Sequence, residues 1–346
     1  MKKIAFLLGS LNGAGAEKTI ITLCKHLQKL GNMVYLLVLD DAGDYTLPQD
    51  ITLIKVNGET KKELRNSIAA ITTRLDLDLF VSSRGEFYDS AIAKNKFCSV
   101  HITPTAWIRD PKWKFWSIIR KKRKLAKKFS AKNLIALSEG IRDDLIENLK
   151  CKPENIITIN NPFEIEEIRS LSLQDGDIPE KPYAIYVASL IPRKRHRDLL
   201  EAFSRIEDKK IRLVFAGKGE LQNELETLAN DLDLSQRVEF LGWHSNPYKL
   251  IKNSDLSLLT SEAEGLPRVL VESLILDVPV VSTDCPSGPS EVMTGPLKEY
   301  LVPVGDVQQL ATKINRALKC YPDRMEFNIE RFNAENVAKR YMALIK

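Results

Sequence analysis

The sequence predicts an α/β protein made of two doubly wound domains, each built on a parallel sheet. The chain has 346 residues, about twice the usual size of a single domain. Short apolar runs alternate with amphipathic segments of helical length through both halves, and the segment SLSLQDGDIPEKP, rich in Asp, Gly and Pro, separates the halves. We therefore predict domains at 1–165 and 182–325, a linker at 166–181, and a C-terminal helix, about 328–346, that packs back on the first domain.

Thirteen apolar runs are expected to form the strands. They lie near Ile4–Leu8, Val34–Leu39, Ile51–Val56, Leu79–Ser82, Cys98–His101, Leu134–Leu137, Ile156–Ile159, Ala184–Ala188, Arg212–Ala216, Val238–Leu241, Leu256–Thr260, Pro279–Ser282 and Tyr300–Pro303. Doubly wound sheets bind ligands outside the carboxyl ends of their strands. Two such domains are therefore expected to face each other across a ligand-binding cleft.

The composition is typical of a soluble, cytoplasmic protein. Hydrophobic residues make up 44% and charged residues 28% of the chain, and no apolar run approaches the roughly 20 residues of a membrane span. The start imitates a secretory signal, but its apolar run is short and is interpreted as a buried first strand. Five scattered cysteines without a C-x-x-C pair predict reduced thiols, with neither a disulfide framework nor a metal site.

The first loop, in GSLNGAGAE, places Gly9, Gly13 and Gly15 directly after the first apolar run. Small residues between a strand and a helix allow backbone N–H groups to approach a phosphate. The residues alone fit a nicotinamide dinucleotide site, another phosphate loop or a tight turn. A short-chain dehydrogenase would also need a Tyr-x-x-x-Lys pair near the middle of a single domain, whereas the chain has this spacing at Tyr248 and Lys252, in the second domain.

The segment TAWIRDPKWKFWSIIRKKRKLAKKF interrupts the regular alternation. Between Trp107 and Lys128 it has ten Lys or Arg residues against one Asp, and three of the four Trp residues. Basic and aromatic side chains on one helix suit the surface of an anionic membrane, although a solvated basic helix with inward aromatics has the same pattern. A nucleic-acid site is disfavoured because the net charge is only +5. The candidate membrane and acceptor residues are Trp113, Trp116, Arg120, Lys121, Lys122, Arg123 and Lys124.

The stretch EGLPRVLVE is the most informative about chemistry. Glu264 lies in a loop, and Pro267 is suited to begin the helix that carries Glu272. Free amides at the start of this helix would face an anion, and the two carboxylates would accept hydrogen bonds from hydroxyl groups. A diphosphate that joins two polyols satisfies both requirements.

With these residues, the sequence resembles the retaining family 4 glycosyltransferases, which have the GT-B fold. The resemblance covers nearly the whole chain. Beyond EGLPRVLVE, it rests on GAGAEK, NLIALSEGIRDDLI, INNPF, VASLIPRKRHRDLLEAF, VFAGKGELQNELE, RVEFLGWHSNPYKLIKNSDLSLLTS and VPVGD, in this order.

The resemblance implies roles for the two glutamates and the loop between them. Glu272 is expected to bind the ribose hydroxyls of a nucleotide sugar, and Glu264 the hydroxyls of the transferred sugar. The backbone amides around Gly265 and Leu266 are expected to hold the diphosphate and the sugar.

The transfer requires positive charge that stabilises the leaving diphosphate. The family commonly supplies it with an Arg and a Lys after the first strand of the second domain. Lys194 occupies the Lys position, but Ser189 stands at the usual Arg position. Arg193 or Arg195, from the same loop, could replace that Arg.

Other positions follow from the same resemblance. Gly217, in GKGE, is expected in the turn under the nucleotide, and Glu239 in the segment beside the base. His101 is expected between donor sugar and acceptor, and Gly15 in a glycine-rich loop that closes over the diphosphate. The family needs no metal, no cofactor and no protein nucleophile, because front-face attack lets the leaving phosphate help to take the acceptor proton.

The expected activity is retaining transfer of a hexose or N-acetylhexosamine from a nucleotide diphosphate sugar, with UDP-sugar favoured. The basic segment lies in the acceptor domain and favours a membrane-associated acceptor, such as a lipopolysaccharide core or a polyprenyl-linked oligosaccharide. The protein is expected at the inner face of the cytoplasmic membrane. A sugar-nucleotide epimerase of the same fold and a non-catalytic glycan-binding protein remain as alternatives.

Overall fold

The computed structural model describes residues 1–11, 15–40, 51–108, 115–322 and 327–346. The chain divides into two compact units. The first comprises Met1–Glu164 and Glu330–Lys346, and the second comprises Ile165–Ile329. Gly13 and Trp113, which belong to predicted functional segments, lie outside the described residues.

The first unit is a parallel sheet covered by helices. Its strands are β1 (Lys3–Leu8), β2 (Met33–Val38), β3 (Thr52–Lys55), β4 (Leu77–Ser82), β5 (Ala93–Val100), β6 (Asn133–Ala136) and β7 (Asn155–Thr158). Its helices, numbered in chain order with those of the second unit, are α1 (Gly15–Lys29), α2 (Lys61–Leu75), α3 (Phe115–Phe129), α4 (Glu139–Asp143) and α12 (Ala334–Met342). In the described residues the strand order is β3-β2-β1-β4-β5-β6-β7.

The second unit repeats this design. Its strands are β8 (Tyr183–Val187), β9 (Arg212–Ala216), β10 (Val238–Gly242), β11 (Leu256–Leu259), β12 (Val280–Thr283) and β13 (Leu301–Val302). Its helices are α5 (Ile165–Ser172), α6 (His196–Ser204), α7 (Gln222–Asp231), α8 (Tyr248–Asn253), α9 (Arg268–Ile275), α10 (Pro289–Val292) and α11 (Val307–Lys319). Among the described residues the strand order is β10-β9-β8-β11-β12-β13, and each of these strand pairs is parallel.

Each of the thirteen predicted apolar runs overlaps a strand. Strands buried on both faces are apolar at nearly every position, so the runs are visible in the sequence. In β1, for example, Ile4 to Leu8 are all at most 2% exposed. Two Rossmann-like sheets are therefore the observed architecture.

The segment predicted as a linker differs from the expectation. Its first part belongs to α5, which lies in the second unit and packs against α8 and α9. Ile165 and Ile168, one turn apart, are buried and give this short helix an apolar stripe. The Asp, Gly and Pro residues that predicted a linker come only after this helix.

The C-terminal segment, for which a return to the first domain is predicted, begins with a turn of 3-10 helix at Ile329–Phe332 and continues as α12. Helix α12 packs against α1, and the Tyr341 ring lies 6.1 Å from the Phe6 ring of β1. Tyr341 is only 1% exposed, so this helix contributes to the core of the first unit.

Candidate active site

The candidate site of the second unit lies where its sheet changes winding direction. Strands β8 and β11 are neighbours in the sheet but are separated in the chain by β9 and β10. The loops after such a pair of strands diverge and leave a crevice, the usual ligand position in doubly wound folds. The loop after β8 carries Lys194, and the loop after β11 carries Glu264.

Lys194 and Glu264 form an ion pair in this crevice. The Lys194 Nζ atom lies 2.5 Å from the Glu264 Oε1 atom, and the two side chains are only 17% and 12% exposed. Burial alone would raise the pKa of Glu264, but the charge and hydrogen bond of Lys194 outweigh it and lower that pKa. Burial likewise opposes the charge on Lys194, yet Glu264 raises its pKa. Both groups are therefore ionised at neutral pH.

The backbone around Lys194 is fixed by side chains from the sheet. The Tyr186 hydroxyl donates to the Lys194 carbonyl at 2.9 Å, and the Thr260 hydroxyl donates to the same oxygen at 2.9 Å. The Glu262 N–H donates to the Arg193 carbonyl at 3.0 Å. These bonds join the loops after β8 and β11, although about 70 residues separate them.

The structure distinguishes the two arginines that could replace the expected Arg at Ser189. The Arg195 Nε atom lies 2.7 Å from Asp198 Oδ2, and its Nη1 atom lies 3.5 Å from Glu262 Oε2, so this guanidinium is held by carboxylates of its own unit. Arg193 is half-buried, and its charge acts on both members of the Lys194–Glu264 pair. Arg193 is therefore the better candidate for a second cation at the site.

Glu272 lies on the second turn of α9 and is 7% exposed. The Tyr248 hydroxyl donates to its Oε1 atom at 3.4 Å, and the Arg268 Nη2 atom lies 3.3 Å from the same oxygen. Arg268 precedes Glu272 by one helical turn, whereas Tyr248 comes from the start of α8. The sequence did not indicate this role for Tyr248, because only the fold brings α8 beside α9.

The turn from Gly265 to Pro267 is packed against the loop after β12. The Ser287 hydroxyl donates to the Gly265 carbonyl at 2.9 Å. Gly288 has a φ of +94°, and a Cβ atom there would lie 2.5 Å from Pro267 Cδ and 2.7 Å from the Gly265 oxygen. Only glycine fits this position, which the pattern CPSG gave no specific reason to select.

Gly217 lies under the same crevice. A Cβ atom on Gly217 would lie 1.9 Å from the Ala188 carbonyl oxygen, and one on Gly219 would lie 2.3 Å from the Leu190 oxygen. The loop after β9 therefore packs directly on the backbone of the loop after β8. This close approach is a structural reason for both glycines, and it places Gly217 next to the loop that carries Lys194.

Glu239 is placed apart from these groups. Its Oε2 atom lies 3.0 Å from the Nη2 atom of Arg212, the first residue of β9. Parallel strands put this pair toward the amino ends of the sheet, whereas Lys194 and Glu264 follow the carboxyl ends. The side chain of Glu239 thus has a structural partner away from the crevice.

In the first unit, His101 directly follows β5. Its Nε2 atom lies 2.9 Å from the Ser99 hydroxyl, and its buried Nδ1 atom has no hydrogen-bond partner among the described residues. Burial lowers the pKa of His101 to about 4, so the ring is neutral at neutral pH. Gly15 begins α1 and is exposed.

Helix α3 contains most of the candidate membrane residues. Trp116 is 78% exposed, and the exposed basic residues of the predicted set are Arg120, Lys122, Arg123 and Lys124. Lys121 is half-buried. Phe129 is buried in the core, and the half-buried Leu125 and Ala126 pack against it, so the helix is amphipathic.

Within the described ranges, no group of three His, Cys, Asp or Glu side chains is arranged to hold a metal ion. None of the helices in these ranges has both the length and the hydrophobicity of a membrane span.

The chain is similar to known glycosyl transferases in part of its sequence and in its fold. Residues 170–332 match the family model "Glycosyl transferases group 1". A Staphylococcus aureus TarM mutant, solved in complex with Fondaparinux, alpha-GlcNAc-glycerol and UDP, matches this chain with a TM-score of 0.77 at 14% identity, over 100% of both chains. The likeness shows the GT-B fold, and residues 170–332 carry the similarity to group 1 glycosyl transferases.

Two curated relatives are similar to this chain. The first is the N-acetylgalactosamine-N,N'-diacetylbacillosaminyl-diphospho-undecaprenol 4-alpha-N-acetylgalactosaminyltransferase of Campylobacter jejuni, 26% identical over 98% of each chain. The second is the lipopolysaccharide 1,6-galactosyltransferase of Escherichia coli K12, 28% identical over 53% of this chain and 51% of the relative.

Proposed function

We propose that the protein is a retaining glycosyltransferase that moves a hexose or N-acetylhexosamine from a UDP-sugar to a membrane-associated glycan acceptor. The acceptor is a lipopolysaccharide or lipooligosaccharide core, or a polyprenyl-linked oligosaccharide. The observation that carries this proposal is the buried Lys194–Glu264 pair at the winding change of the group 1 domain. The pair combines a cation with a carboxylate that can accept hydrogen bonds from hydroxyl groups, and it lies at the usual ligand position of this fold.

The two members of the pair bind different parts of the donor. A diphosphate draws the Lys194 ammonium because it carries more charge than one carboxylate, and Arg193 adds a second cation. Glu264 is then left to accept hydrogen bonds from the hydroxyls of the transferred sugar. The N–H groups of Gly265 and Leu266, at the start of α9, contact the diphosphate and the sugar.

Glu272 accepts the ribose hydroxyls. Tyr248 and Arg268 both contact its Oε1 atom, which holds the carboxylate in one orientation within α9. Because the Glu272 carboxylate is already held in one orientation, it loses little further side-chain entropy when it binds a ribose.

The transfer needs no side-chain nucleophile, metal or cofactor. The acceptor hydroxyl attacks from the side that the diphosphate leaves, and the leaving phosphate takes the acceptor proton. Neutral His101, with its available Nδ1 atom, positions the sugar or acceptor. Gly15 stays a candidate for the diphosphate through its backbone at the start of α1, whereas Glu239 is left out because Arg212 engages its carboxylate.

The relatives support the choice of donor and acceptor. The Campylobacter relative is named for a diphospho-undecaprenol-linked acceptor, the E. coli relative is named for lipopolysaccharide, and the TarM complex contains UDP. Exposed Trp116 and the basic residues around it suit an anionic bilayer. We therefore place the protein at the inner face of the cytoplasmic membrane.

The test is release of free nucleotide diphosphate from a panel of UDP-, GDP- and ADP-sugars. We expect slow release from one UDP-sugar by the wild type, and loss of release in Glu272→Ala and Lys194→Ala. Glu224→Ala is the matched control, because it removes an exposed carboxylate of the same unit, which pairs with the exposed Arg197. Conversion of the sugar without release would indicate an epimerase, and glycan binding without any turnover would indicate a binding protein.

A further inference from the structure

Asp144 is a buried carboxylate that the proposed mechanism does not use. It lies where α4 continues as a π-helical turn, Asp144–Asn148, in which the Leu149 N–H donates to the Asp144 carbonyl at 2.9 Å. Asp144 is 2% exposed, and its neighbours Ile141 and Leu145 on the same segment are fully buried. A carboxylate rarely occupies the core-facing side of a helix. π-helical turns are likewise uncommon and occur frequently at functional sites.

The Asp144 carboxylate accepts three hydrogen bonds. The Thr105 N–H donates to Oδ2 at 2.9 Å, and the Thr105 hydroxyl donates to Oδ1 at 2.5 Å. The Asn148 side-chain amide donates to Oδ1 at 2.8 Å. No Lys or Arg among the described residues forms an ion pair with Asp144. A buried charge without a cation is tolerated only where such donors satisfy it, so the carboxylate holds Thr105 in place.

Thr105 belongs to the loop after β5, and this loop also carries His101. The loop forms a 3-10 turn at Pro104–Ile108, and Ile108 packs into the apolar core that α4 shares. At the start of the loop, the Ser99 Oγ atom lies 2.9 Å from the His101 Nε2 atom. The loop is therefore held at both ends, by Ser99 on the histidine ring and by Asp144 on the turn that follows it.

We propose that Asp144 is a positioning residue for the transfer reaction: through Thr105 it fixes the loop after β5, so that the His101 ring keeps one position and its Nδ1 atom stays available to the substrate. The inference rests on the proposed function, which assigns to His101 the contact with the sugar or the acceptor. Without the contact between Asp144 and Thr105 the loop would sample several positions. A misplacement of about 1 Å can lower a rate roughly a hundredfold.

The first test is nitrogen-15 NMR of the imidazole groups, which reports the protonation state of His101. Burial lowers the pKa of His101 to about 4. In Asp144→Asn the released loop should admit water to the ring, so this pKa should rise toward 6.5. Loss of a nearby negative charge would by itself lower the pKa of a histidine, so an increase reports movement of the loop. The spectrum of His101→Gln assigns the signal.

Matched variants separate this contact from a general loss of structure. Asp143→Asn makes the same change at the adjacent residue, whose side chain is 63% exposed, and should leave the His101 pKa unchanged. Thr105→Val lacks the hydroxyl and should raise the pKa, whereas Thr105→Ser retains both donors and should keep the wild-type value. The two Thr105 variants decide the question if Asp144→Asn folds poorly. An unchanged His101 pKa in Asp144→Asn and in Thr105→Val would overturn the proposal.

The second test is the rate of UDP release from the donor, with the affinity for UDP measured on the same samples. Asp144→Asn should release UDP about tenfold more slowly. It should bind UDP like the wild type, because the donor residues lie in the second unit. The double variant Asp144→Asn/His101→Ala should be no slower than His101→Ala, since Asp144 acts through His101. A double variant that is slower by the full effect of Asp144→Asn would contradict this role.

The two tests distinguish failure of this inference from failure of the proposed function. If the wild type releases no UDP from any donor, the proposed function fails, and the NMR measurements still decide whether Asp144 fixes the position of His101. If UDP is released but neither the His101 pKa nor the release rate responds to Asp144→Asn and Thr105→Val, only the role of Asp144 fails.

Discussion

At the scale of residues, the Lys194–Glu264 pair is expected to contribute to stability as well as activity. Each side chain is less than one-fifth exposed, so removal of one partner leaves a largely buried charge. Lys194→Met should lower the free energy of unfolding by about 3 kcal/mol and abolish donor turnover. Urea denaturation and the nucleotide-release assay measure the two effects.

The double variant Lys194→Met/Glu264→Gln is the control for this prediction. It removes both charges, so it should recover part of the lost stability but none of the activity. If the loss of stability in the double variant equals the sum of the losses in Lys194→Met and Glu264→Gln, the two side chains are not coupled.

Gly288 is expected to control the shape of the Gly265–Leu266 turn. A Cβ atom at this position meets Pro267 and the Gly265 oxygen, and the backbone is in the left-handed region. Gly288→Ala should cost about 1–3 kcal/mol of stability and reduce donor turnover more than tenfold. Thermal unfolding and steady-state kinetics check this.

Gly31→Ala provides the comparison. Gly31 also has a positive φ, +80°, but a Cβ atom there meets nothing within 4 Å. This variant should lose some stability and retain activity. Unchanged turnover in Gly288→Ala would show that the turn does not depend on this contact.

At the scale of elements, α3 is expected to attach the protein to anionic bilayers. Co-sedimentation with vesicles that contain anionic lipid should decrease as salt concentration rises. Arg120→Glu/Arg123→Glu should weaken binding, by about fivefold for each lost cation. Lys209→Glu/Lys210→Glu changes two exposed lysines of the second unit by the same charge and should have little effect. Vesicle binding that changes neither with salt concentration nor in the Arg120→Glu/Arg123→Glu variant would contradict this role.

The elements themselves were largely predictable from the sequence. Buried parallel strands are continuous apolar runs, which is why every predicted run overlaps a strand. Helix α5 was missed because its apolar stripe is only two turns long and directly precedes the Asp, Gly and Pro residues read as a linker. The partners of the site could not be predicted in the same way: the contacts of Tyr248 with Glu272 and of Gly288 with Gly265 depend on strand order, which no local pattern encodes.

The choice between similar residues also required the structure. Arg193 and Arg195 are equivalent in the sequence, but the structure pairs Arg195 with Asp198 and Glu262. Glu239 matched a family position, yet its carboxylate pairs with Arg212. Such assignments depend on side-chain direction, which a motif does not contain.

At the scale of the whole molecule, the buried His196 and the half-buried His101 are expected to make the fold sensitive to acid. Burial lowers the pKa of His196 from 6.5 to about 3 and that of His101 to about 4. Their neutral forms are retained in the folded state, so stability is complete above pH 6.5 and decreases as the pH falls toward these values. His196 alone should account for about 2 kcal/mol between pH 6.5 and about 5.

Urea denaturation as a function of pH tests this expectation. His196→Leu keeps an apolar side chain between Tyr186 and Phe215 but cannot bind a proton. Its stability should change less with pH than that of the wild type. The same slope in both proteins would contradict a role for His196, whose two ring nitrogens have no hydrogen-bond partner among the described residues.

The most direct test of the donor site is the affinity of the protein for UDP, measured by titration calorimetry. The wild type should bind UDP, and Lys194→Ala and Glu272→Ala should each weaken binding by about tenfold or more, because each removes a charged hydrogen-bonding group. Glu224→Ala should bind like the wild type. Absence of UDP binding, or equal affinity in all four proteins, would contradict the assignment of the donor site to this crevice.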